Sequence, residues 1–207
     1  MSYAVTNIYE WMGFEIADCL LASGKEVVGA GTAETDQQKY LEMFFGRNAN
    51  FQQVDQLVSA AHHDVIFDVG DMQKGSIYYE PSTRKFVIGK ESENRPEMQV
   101  VIHIPMLVGR WMPMNEEGVF VNEQHIPFFD EKFRRSIAID SLVLSLLQLP
   151  AISKLPEAIT ILPKSSPTHA NEERQTIYMI DDYNAQGKKT RLLEHFHDHP
   201  EFFQLCH

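Results

Sequence analysis

The stretch that decides the fold is SYAVTNIYEWMGFEIADCLLASGKEVVGA, residues 2–30. It begins with a strand-like run at 2–6, after which apolar residues recur at helical spacing as far as Leu21. Gly24 ends the helical pattern, and a second strand-like run follows at 26–29. Strand, helix, glycine stop and strand in this order are typical of a βαβ unit, whose two strands lie parallel.

Later segments continue the alternation of strand and helix. The pattern predicts strands at 50–54, 64–70, 85–88, 99–104 and 159–162, and helices at 33–45, 55–61 and 136–149. A loop-rich region is predicted at 110–130 and a surface loop at 163–175; residues 176–196 predict a hairpin, or a strand and a helix joined by a turn. The sequence therefore predicts an α/β fold.

Composition narrows the class of protein. The chain has 207 residues, of which 43% are hydrophobic, and a formal net charge of −11. Such a charge argues against nucleic acid as a partner, because binding to phosphates depends on a basic surface. No apolar run approaches the roughly 20 residues that cross a bilayer, so we expect no membrane association and a cytoplasmic protein. Cys19 and Cys206 are expected to be free thiols.

The turn after the first predicted strand lies where a dinucleotide-binding loop would lie. In such a loop, T-G-x-x-G-x-x-G lets the backbone approach a pyrophosphate at the helix N-terminus. Here Thr6 is followed by Asn7, Glu10 and Gly13 at the three glycine positions. The bare motif is therefore mostly lost.

The register that follows Gly13 nevertheless resembles a known family. Ile16, Leu20-Leu21, Gly24 and Glu26-Val27 are similar to the G-x-x-L-x-x-x-L-L-x-x-G-x-E-V segment of the NAD(P)-dependent epimerase/dehydratase family, the extended or atypical short-chain dehydrogenases. Further runs resemble the later strands of that family in the same order, so the resemblance covers about residues 1–162. The chain looks like a divergent and shortened member.

The resemblance implies a Rossmann-like, three-layer domain over 1–162, with strand order 3-2-1-4-5-6 or a shortened form of it, and a small C-terminal appendage over 163–207. It also implies a set of candidate NAD(P) contacts. These are Thr6, Asn7, Glu10, Gly13, Asp55 and Gly70.

Departures from the family pattern weaken the cofactor site and remove the catalytic pair. No Tyr is followed four residues later by Lys, so the Tyr-x-x-x-Lys pair is absent and no catalytic residue is assigned. The place of the ribose-binding acid is taken by Gly31. A Glu10 carboxylate about 4 Å from a phosphate charge would cost about 4 kcal/mol at an effective dielectric constant of about 20, roughly a thousandfold in affinity. We therefore expect no NAD(P) binding, or weak binding.

Two functions follow from this comparison. The first is a catalytically inactive relative of sugar epimerases and dehydratases that acts as a binding, regulatory or assembly module. The alternative is an NAD(P)-binding oxidoreductase or epimerase with an altered site that lacks Tyr-x-x-x-Lys. A nucleotide or other small-molecule ligand, a protein partner and the oligomeric state are left open.

Several other residues are candidate site residues. His195, His197 and His199 could converge on a metal if their segment were a strand, because alternate residues of a strand share a face; a solvated tail is the favoured interpretation, and no metal site is assigned. Trp11-Met12 and the run 111–114 are expected to fill the vacated cofactor cleft or to form a contact surface. We expect His62-His63 and Ser92 to be loop residues and His103 to be a structural or pocket-lining residue.

Overall fold

The computed structural model describes residues 2–57, 63–70, 76–88, 99–163, 175–179 and 184–204. Strands and helices alternate along most of this part of the chain. The strands are β1 Ser2–Thr6, β2 Glu26–Ala30, β3 Phe51–Val54, β4 Val65–Val69, β5 Ser76–Glu80, β6 Lys85–Ile88, β7 Val100–His103, β8 Leu107–Val108, β9 Gly118–Val121, β10 Gln124–Pro127, β11 Ile137–Ala138, β12 Ala158–Pro163 and β13 Gln175–Met179. The helices are α1 Trp11–Ala22, α2 Asp36–Phe45, α3 Glu131–Arg134, α4 Ile139–Leu146, α5 Ala185–Asp198 and α6 Pro200–Gln204.

A nine-stranded sheet forms the centre of the molecule, in the order β13-β12-β7-β5-β6-β4-β1-β2-β3. The paired strands are parallel except where β5 lies antiparallel to β6 and β7. The opening βαβ unit is confirmed, since β1 and β2 pair in parallel with Tyr3 opposite Val27. A mixed α/β chain with a large, mostly parallel sheet is thus established, and this arrangement is compatible with a Rossmann-like fold.

The strand order agrees with the prediction as far as the fifth predicted strand. The predicted strands at 50–54, 64–70 and 85–88 occur as β3, β4 and β6, so the order 3-2-1-4-5 is observed. The predicted sixth strand, β7, is separated from β6 by β5, which was not predicted from the sequence. Because β5 and β6 form a hairpin, the inserted strand reverses direction.

Aromatic residues of adjacent strands meet in the core. Phe86 on β6 stacks on Phe67 of β4 at 5.2 Å and on Tyr79 of β5 at 4.5 Å, and all three side chains are almost fully buried. Helices α1 and α4 contact each other. The predicted three-layer arrangement stays a prediction.

Residues beyond 163 join the same sheet and the same core. β13 pairs in parallel with β12 at the sheet edge, and Leu192 and Phe202 belong to the core cluster that includes Tyr3. Of the alternatives for 176–196, the strand followed by a helix is the one observed. The division into two domains at residue 162 stays a prediction.

Two further expectations need correction. The predicted helix at 136–149 is shorter, because 137–138 form β11 beside β8 before α4 begins. The loop-rich region 110–130 contains the β9–β10 hairpin, whose turn residues Asn122 and Glu123 both have positive φ, at 50° and 63°. Of the predicted helix at 55–61, residues 55–57 are not helical and the rest lie outside the described residues.

Gly13 provides a test of the first turn. A Cβ atom at Gly13 would lie 2.2 Å from the backbone oxygen of Asn7, whereas one at Gly46 would have its nearest neighbour at 3.9 Å. We expect Gly13→Ala to lower the free energy of unfolding by about 1–3 kcal/mol and Gly46→Ala to change it by at most about 0.5 kcal/mol. Urea denaturation measures both; equal effects would contradict the close approach.

Candidate functional site

The ends of β1 and β4 are joined by side-chain hydrogen bonds. Thr6 Oγ1 accepts from the backbone N–H of Val69 at 2.9 Å and donates to Asp68 Oδ1 at 3.1 Å. Asn7, which has a left-handed φ of 49°, donates from Nδ2 to the carbonyl of Val69 at 2.5 Å. Dinucleotide-binding sheets of this order hold their ligand outside these two strand ends. In this chain, polar side chains bridge that position.

Ile8 fills the space beside the bridge. Its side chain is fully buried, and its N–H donates to the carbonyl of Ala30 at the end of β2. A Cβ atom at Gly29 would lie 2.6 Å from Ile8 Cγ1, so the absence of a side chain at Gly29 makes room for Ile8. The first turn is therefore packed against the end of β2.

Glu10 precedes the first residue of α1 and is exposed. Its side chain does not cap the helix; Oε1 accepts a hydrogen bond from Gln38 Nε2 of α2 at 2.9 Å. The helix N-terminus favours anions, and here a carboxylate of this chain already lies next to it. Gly13 lies one turn further on, in close contact with Asn7.

The two remaining candidate cofactor contacts each follow the C-terminal end of a strand. Asp55 follows β3 and is exposed. Gly70 follows β4, and its N–H donates to the carbonyl of Ile88 at 2.7 Å. The cofactor role of all six candidate residues stays a prediction.

The tryptophan and methionine runs are mostly buried. Trp111 packs edge-on against Phe14 of α1 at 5.2 Å and against Phe44 of α2 at 4.8 Å. Met12 and Met112 are also buried, whereas Trp11 is half-buried beside Gly109. The burial of Trp111, Met12 and Met112 argues against an exposed contact surface, and filling of the cofactor cleft by these residues stays a prediction. The residues nearest the cofactor position, however, are Thr6, Asn7 and Ile8.

The three C-terminal histidines do not converge on one point, because their segment is helical and only the rings of His195 and His199 meet, at 4.5 Å. His195 and His199 lie one turn apart on α5 and its end, with rings 4.3 Å and 5.1 Å from that of Trp111. His197 faces elsewhere, 62% exposed, with Nε2 4.0 Å from Glu116 Oε1. The strand-based hypothesis is wrong, and no group of three His, Cys, Asp or Glu within the described residues could hold a metal.

The other candidates have local partners or lie outside the described residues. His63 Nδ1 is 3.0 Å from Ser2 Oγ, and His103 is half-buried on β7. His62, Ser92 and Cys206 fall outside the described residues.

A small cleft that was not predicted from the sequence lies between α1, α4 and α5. It is partly open to solvent. Charged side chains, apolar side chains and backbone groups all line this cleft. The lining residues are Glu15, Val108, Gly109, Arg110, Ala138, Ile139, Asp140, Lys188, Arg191 and Leu192.

Two networks of charged side chains surround this cleft. On the α1 side, Arg110 Nη2 is 2.5 Å from Asp18 Oδ2 and 3.6 Å from Glu15 Oε2, and Glu15 Oε1 accepts from the N–H of Trp111 at 3.0 Å. On the α5 side, Arg191 Nη1 is 2.6 Å from Asp140 Oδ2.

Lys188 completes the α5 side of the cleft. It is 4% exposed, and its Nζ donates to the carbonyl of Ser136, just before β11. A buried ammonium group is therefore held beside the start of α4.

Burial controls the proton affinities in and near this cleft. It raises the pKa of Glu15 to about 6, although the Arg110 charge and the Trp111 hydrogen bond act in the opposite direction. It also raises the pKa of Cys19 to about 12, so this thiol stays protonated and inert. For His195, burial and then His199 lower the pKa to about 3.

The sequence carried a weak signal for this cleft. Glu15 with Asp18, and Lys188 with Arg191, are spaced three residues apart, which places each pair on one face of its helix. Nothing in either spacing reveals that the two helix faces meet, because they are separated by most of the chain.

Comparison with known proteins found no matching family model, no matching curated protein and no matching solved structure. Within the described residues, no helix is long and apolar enough to cross a membrane.

Glu15 gives a pH-dependent prediction. Its pKa is about 6 in the fold against an ordinary 4.5, so the folded chain holds this proton more tightly than the unfolded chain. Its contribution to stability therefore falls by about 2 kcal/mol as the pH rises from well below 4.5 to well above 6. We expect Glu15→Gln to gain about that much relative to wild type over this range, measured by denaturant unfolding; a constant difference would contradict it.

His195 gives a prediction of the opposite sign. Its pKa is about 3 in the fold against an ordinary 6.5, so the unfolded chain binds the proton more tightly and stability falls on acidification below about pH 6.5. We expect His195→Phe, which keeps an aromatic ring beside Trp111, to lose about 2 kcal/mol less than wild type between pH 6.5 and about pH 5. His197→Phe, the matched control, retains His195 and therefore the wild-type slope in the same unfolding experiment.

Proposed function

We propose that this chain is a binding, regulatory or assembly module on a Rossmann-like, three-layer scaffold, derived from the NAD(P)-dependent epimerase/dehydratase family and without that family's catalysis. The observation that supports it best is the bridge that Thr6 and Asn7 make between the ends of β1 and β4. In this proposal, the position of the family's cofactor is occupied by the chain itself.

The energetics of the first turn favour this proposal. A dinucleotide at the ends of β1 and β4 would have to displace the Asn7 and Thr6 hydrogen bonds, each worth about 1 kcal/mol, and the fully buried Ile8. Its pyrophosphate would then meet the Glu10 carboxylate at the N-terminus of α1, at a cost of about 4 kcal/mol. The chain would need other contacts of comparable strength to bind NAD(P) there.

The absent catalytic pair points in the same direction. In the family, the Lys lowers the pKa of the catalytic Tyr and holds the nicotinamide ribose, and this sequence contains no Tyr-x-x-x-Lys. On β5, Tyr79 is buried in the core and Tyr78 is half-buried. We therefore assign no hydride transfer to this site.

Calorimetric titration with NAD, NADH, NADP and NADPH tests the proposal. We expect no micromolar binding to wild type, because of the Asn7 bridge and the Glu10 charge. We expect Asn7→Gly/Glu10→Gly, which restores two glycines of the loop, to bind more tightly than wild type by at least about tenfold. Glu123→Gln, which removes an exposed carboxylate in the β9–β10 turn, is the matched control and should bind as wild type does.

Micromolar binding to the wild-type protein, together with turnover of a carbonyl or sugar-nucleotide substrate, would overturn the proposal. That result would favour the alternative, an oxidoreductase or epimerase that holds NAD(P) in an altered pose. A nucleotide that co-purifies with the protein, detected by its adenine absorbance, would be the first sign of it.

A further inference from the structure

An exposed aromatic ring precedes the short helix α3. Phe129 is 82% exposed, more than any other large hydrophobic side chain among the described residues. It lies just before the helix cap Asp130, at a position where an apolar residue usually packs against the fourth residue of the helix. In this chain the fourth residue is Arg134, which is itself exposed. The usual apolar partner of the ring is therefore replaced by a cation.

Basic residues are concentrated in this part of the fold. Six of the 18 Lys and Arg residues of the chain lie in two short segments, 132–135 and 188–191. The two segments meet, because Lys188 Nζ donates to the carbonyl of Ser136 directly after α3. A chain with a net charge of −11 thus gathers a third of its Lys and Arg residues around α3 and the start of α5.

Three of these six cations are accessible. Lys132 and Arg134 are exposed, and the half-buried Lys189 lies with its Nζ 5.7 Å from the ring centroid of Phe128, the neighbour of Phe129 in the chain. None of the three cations forms an ion pair with any residue that the structure describes. Together with Phe129, these three cations form a surface that we call the basic patch.

The carboxylates next to the basic patch in the sequence already have other partners. Asp130 Oδ1 accepts the backbone N–H of Lys132 at 2.7 Å as the cap of α3. Glu131 Oε1 is 2.5 Å from Arg135 Nη2, one turn further along. The cations of the patch are therefore free to pair with carboxylates from another molecule.

From these observations we propose that the basic patch is a docking surface for a short acidic segment of a partner protein. An apolar residue of that segment packs on the ring of Phe129, and its carboxylates pair with the three cations. Aromatic residues and Arg are enriched in protein interfaces, and an Arg guanidinium can hold a carboxylate through two parallel hydrogen bonds. The patch includes no residue of the first turn, so this inference goes beyond the proposed function and does not depend on it.

The charge of the whole chain favours a short acidic segment over a nucleic acid or an anionic membrane. Those two are extended anionic surfaces that also meet residues beyond the patch, where the rest of the chain is strongly negative. The exposed Glu117, whose carbonyl accepts the N–H of Phe128, already bounds the patch on one side. At physiological salt, exposed charges more than about 8 Å apart are largely screened, so a segment that covers only the patch interacts mainly with its cations.

The exposed ring and the exposed cations each have an ordinary explanation when taken separately. Single exposed apolar side chains are common on proteins, and exposed Lys and Arg keep proteins soluble. Their combination is informative because the fold holds them together: Asp130 caps α3, and the fully buried Phe133 lies 5.0 Å from Phe128. A surface that is already ordered loses less entropy when a partner binds.

Selection from a displayed library of short random peptides with the full chain as the target tests the inference. We expect the enriched peptides to carry several Asp or Glu residues beside an apolar residue, and to bind with a dissociation constant below about 100 μM. Their affinity should fall as the salt concentration rises, because the ion pairs are exposed. If no peptide is enriched, or if the enriched peptides lack acidic residues, the inference is wrong.

Variants locate the binding surface. We expect Phe129→Ala to weaken binding of the selected acidic peptide at least about tenfold, and Arg134→Ala to weaken it about threefold, as is usual for an exposed ion pair. Met43→Ala removes another exposed apolar side chain and Lys39→Ala another exposed cation, both on α2; these matched controls should bind as wild type does.

Thermal unfolding shows whether each variant is folded. Wild-type affinity in either folded patch variant would overturn the assignment, as would equal losses in the controls. Should Phe129→Ala not fold, Arg134→Ala and its control Lys39→Ala decide by the same criteria.

Two further titrations distinguish the acidic segment from other anionic partners. Vesicles of phosphatidylcholine and phosphatidylserine, and a single-stranded DNA oligonucleotide, are each titrated with the wild-type chain. We expect neither to bind as tightly as the selected peptide. Binding of either one that is at least as tight would contradict a protein partner and assign the patch to a membrane or to a nucleic acid.

Failure of these tests leaves the proposed function standing, because the NAD(P) titration probes the first turn and not the basic patch. Conversely, NAD(P) binding at the first turn would leave the docking surface unaffected.

Discussion

The buried carboxyl group of Glu15 holds together parts of the chain that are far apart in sequence. It accepts the N–H of Trp111 and lies beside Arg110, and this fixes the segment after β8 on the surface of α1. Trp111 then provides the ring against which α1, α2 and the C-terminal helices pack, through Phe14, Phe44 and Phe202. The hydrogen bond to Trp111 and the ion pairs of Arg110 with Glu15 and Asp18 thereby help to position the long connection between β7 and β12.

The parts of the fold that the sequence predicted are those with strong local patterns. β1, α1 and β2 follow from the alternation of apolar runs and the stop at Gly24, and β4 follows from a short apolar run. β5 was missed because its alternation is short: Ile77 and Tyr79 are buried while Tyr78 and Glu80 are half-buried. Its identity as a strand depends on pairing with β6 and β7, and pairing is a tertiary property.

The two candidate sites differ in how far they could be predicted. The first turn was located from Thr6, Asn7 and Gly13, since a turn between a strand and a helix is a local feature. What the sequence could not supply was the partner of Asn7, the carbonyl of Val69, which comes from a strand more than 60 residues away. The charged cleft could not be predicted, because Glu15 of α1 and Arg191 of α5 line it together although they are separated by most of the chain.

The packing of α5 and α6 has a consequence for how the chain folds during synthesis. Leu192 and Phe202 belong to the same core as Tyr3, so α5 and α6 complete one hydrophobic unit with β1, which lies far from them in the sequence. Such non-local contacts form slowly, because the entropy of closing a long loop is lost before the contacts are gained. Until the ribosome has delivered α5 and α6, the side of Trp111 that these helices cover is exposed, and the nascent chain presents an apolar surface of the kind that chaperones bind.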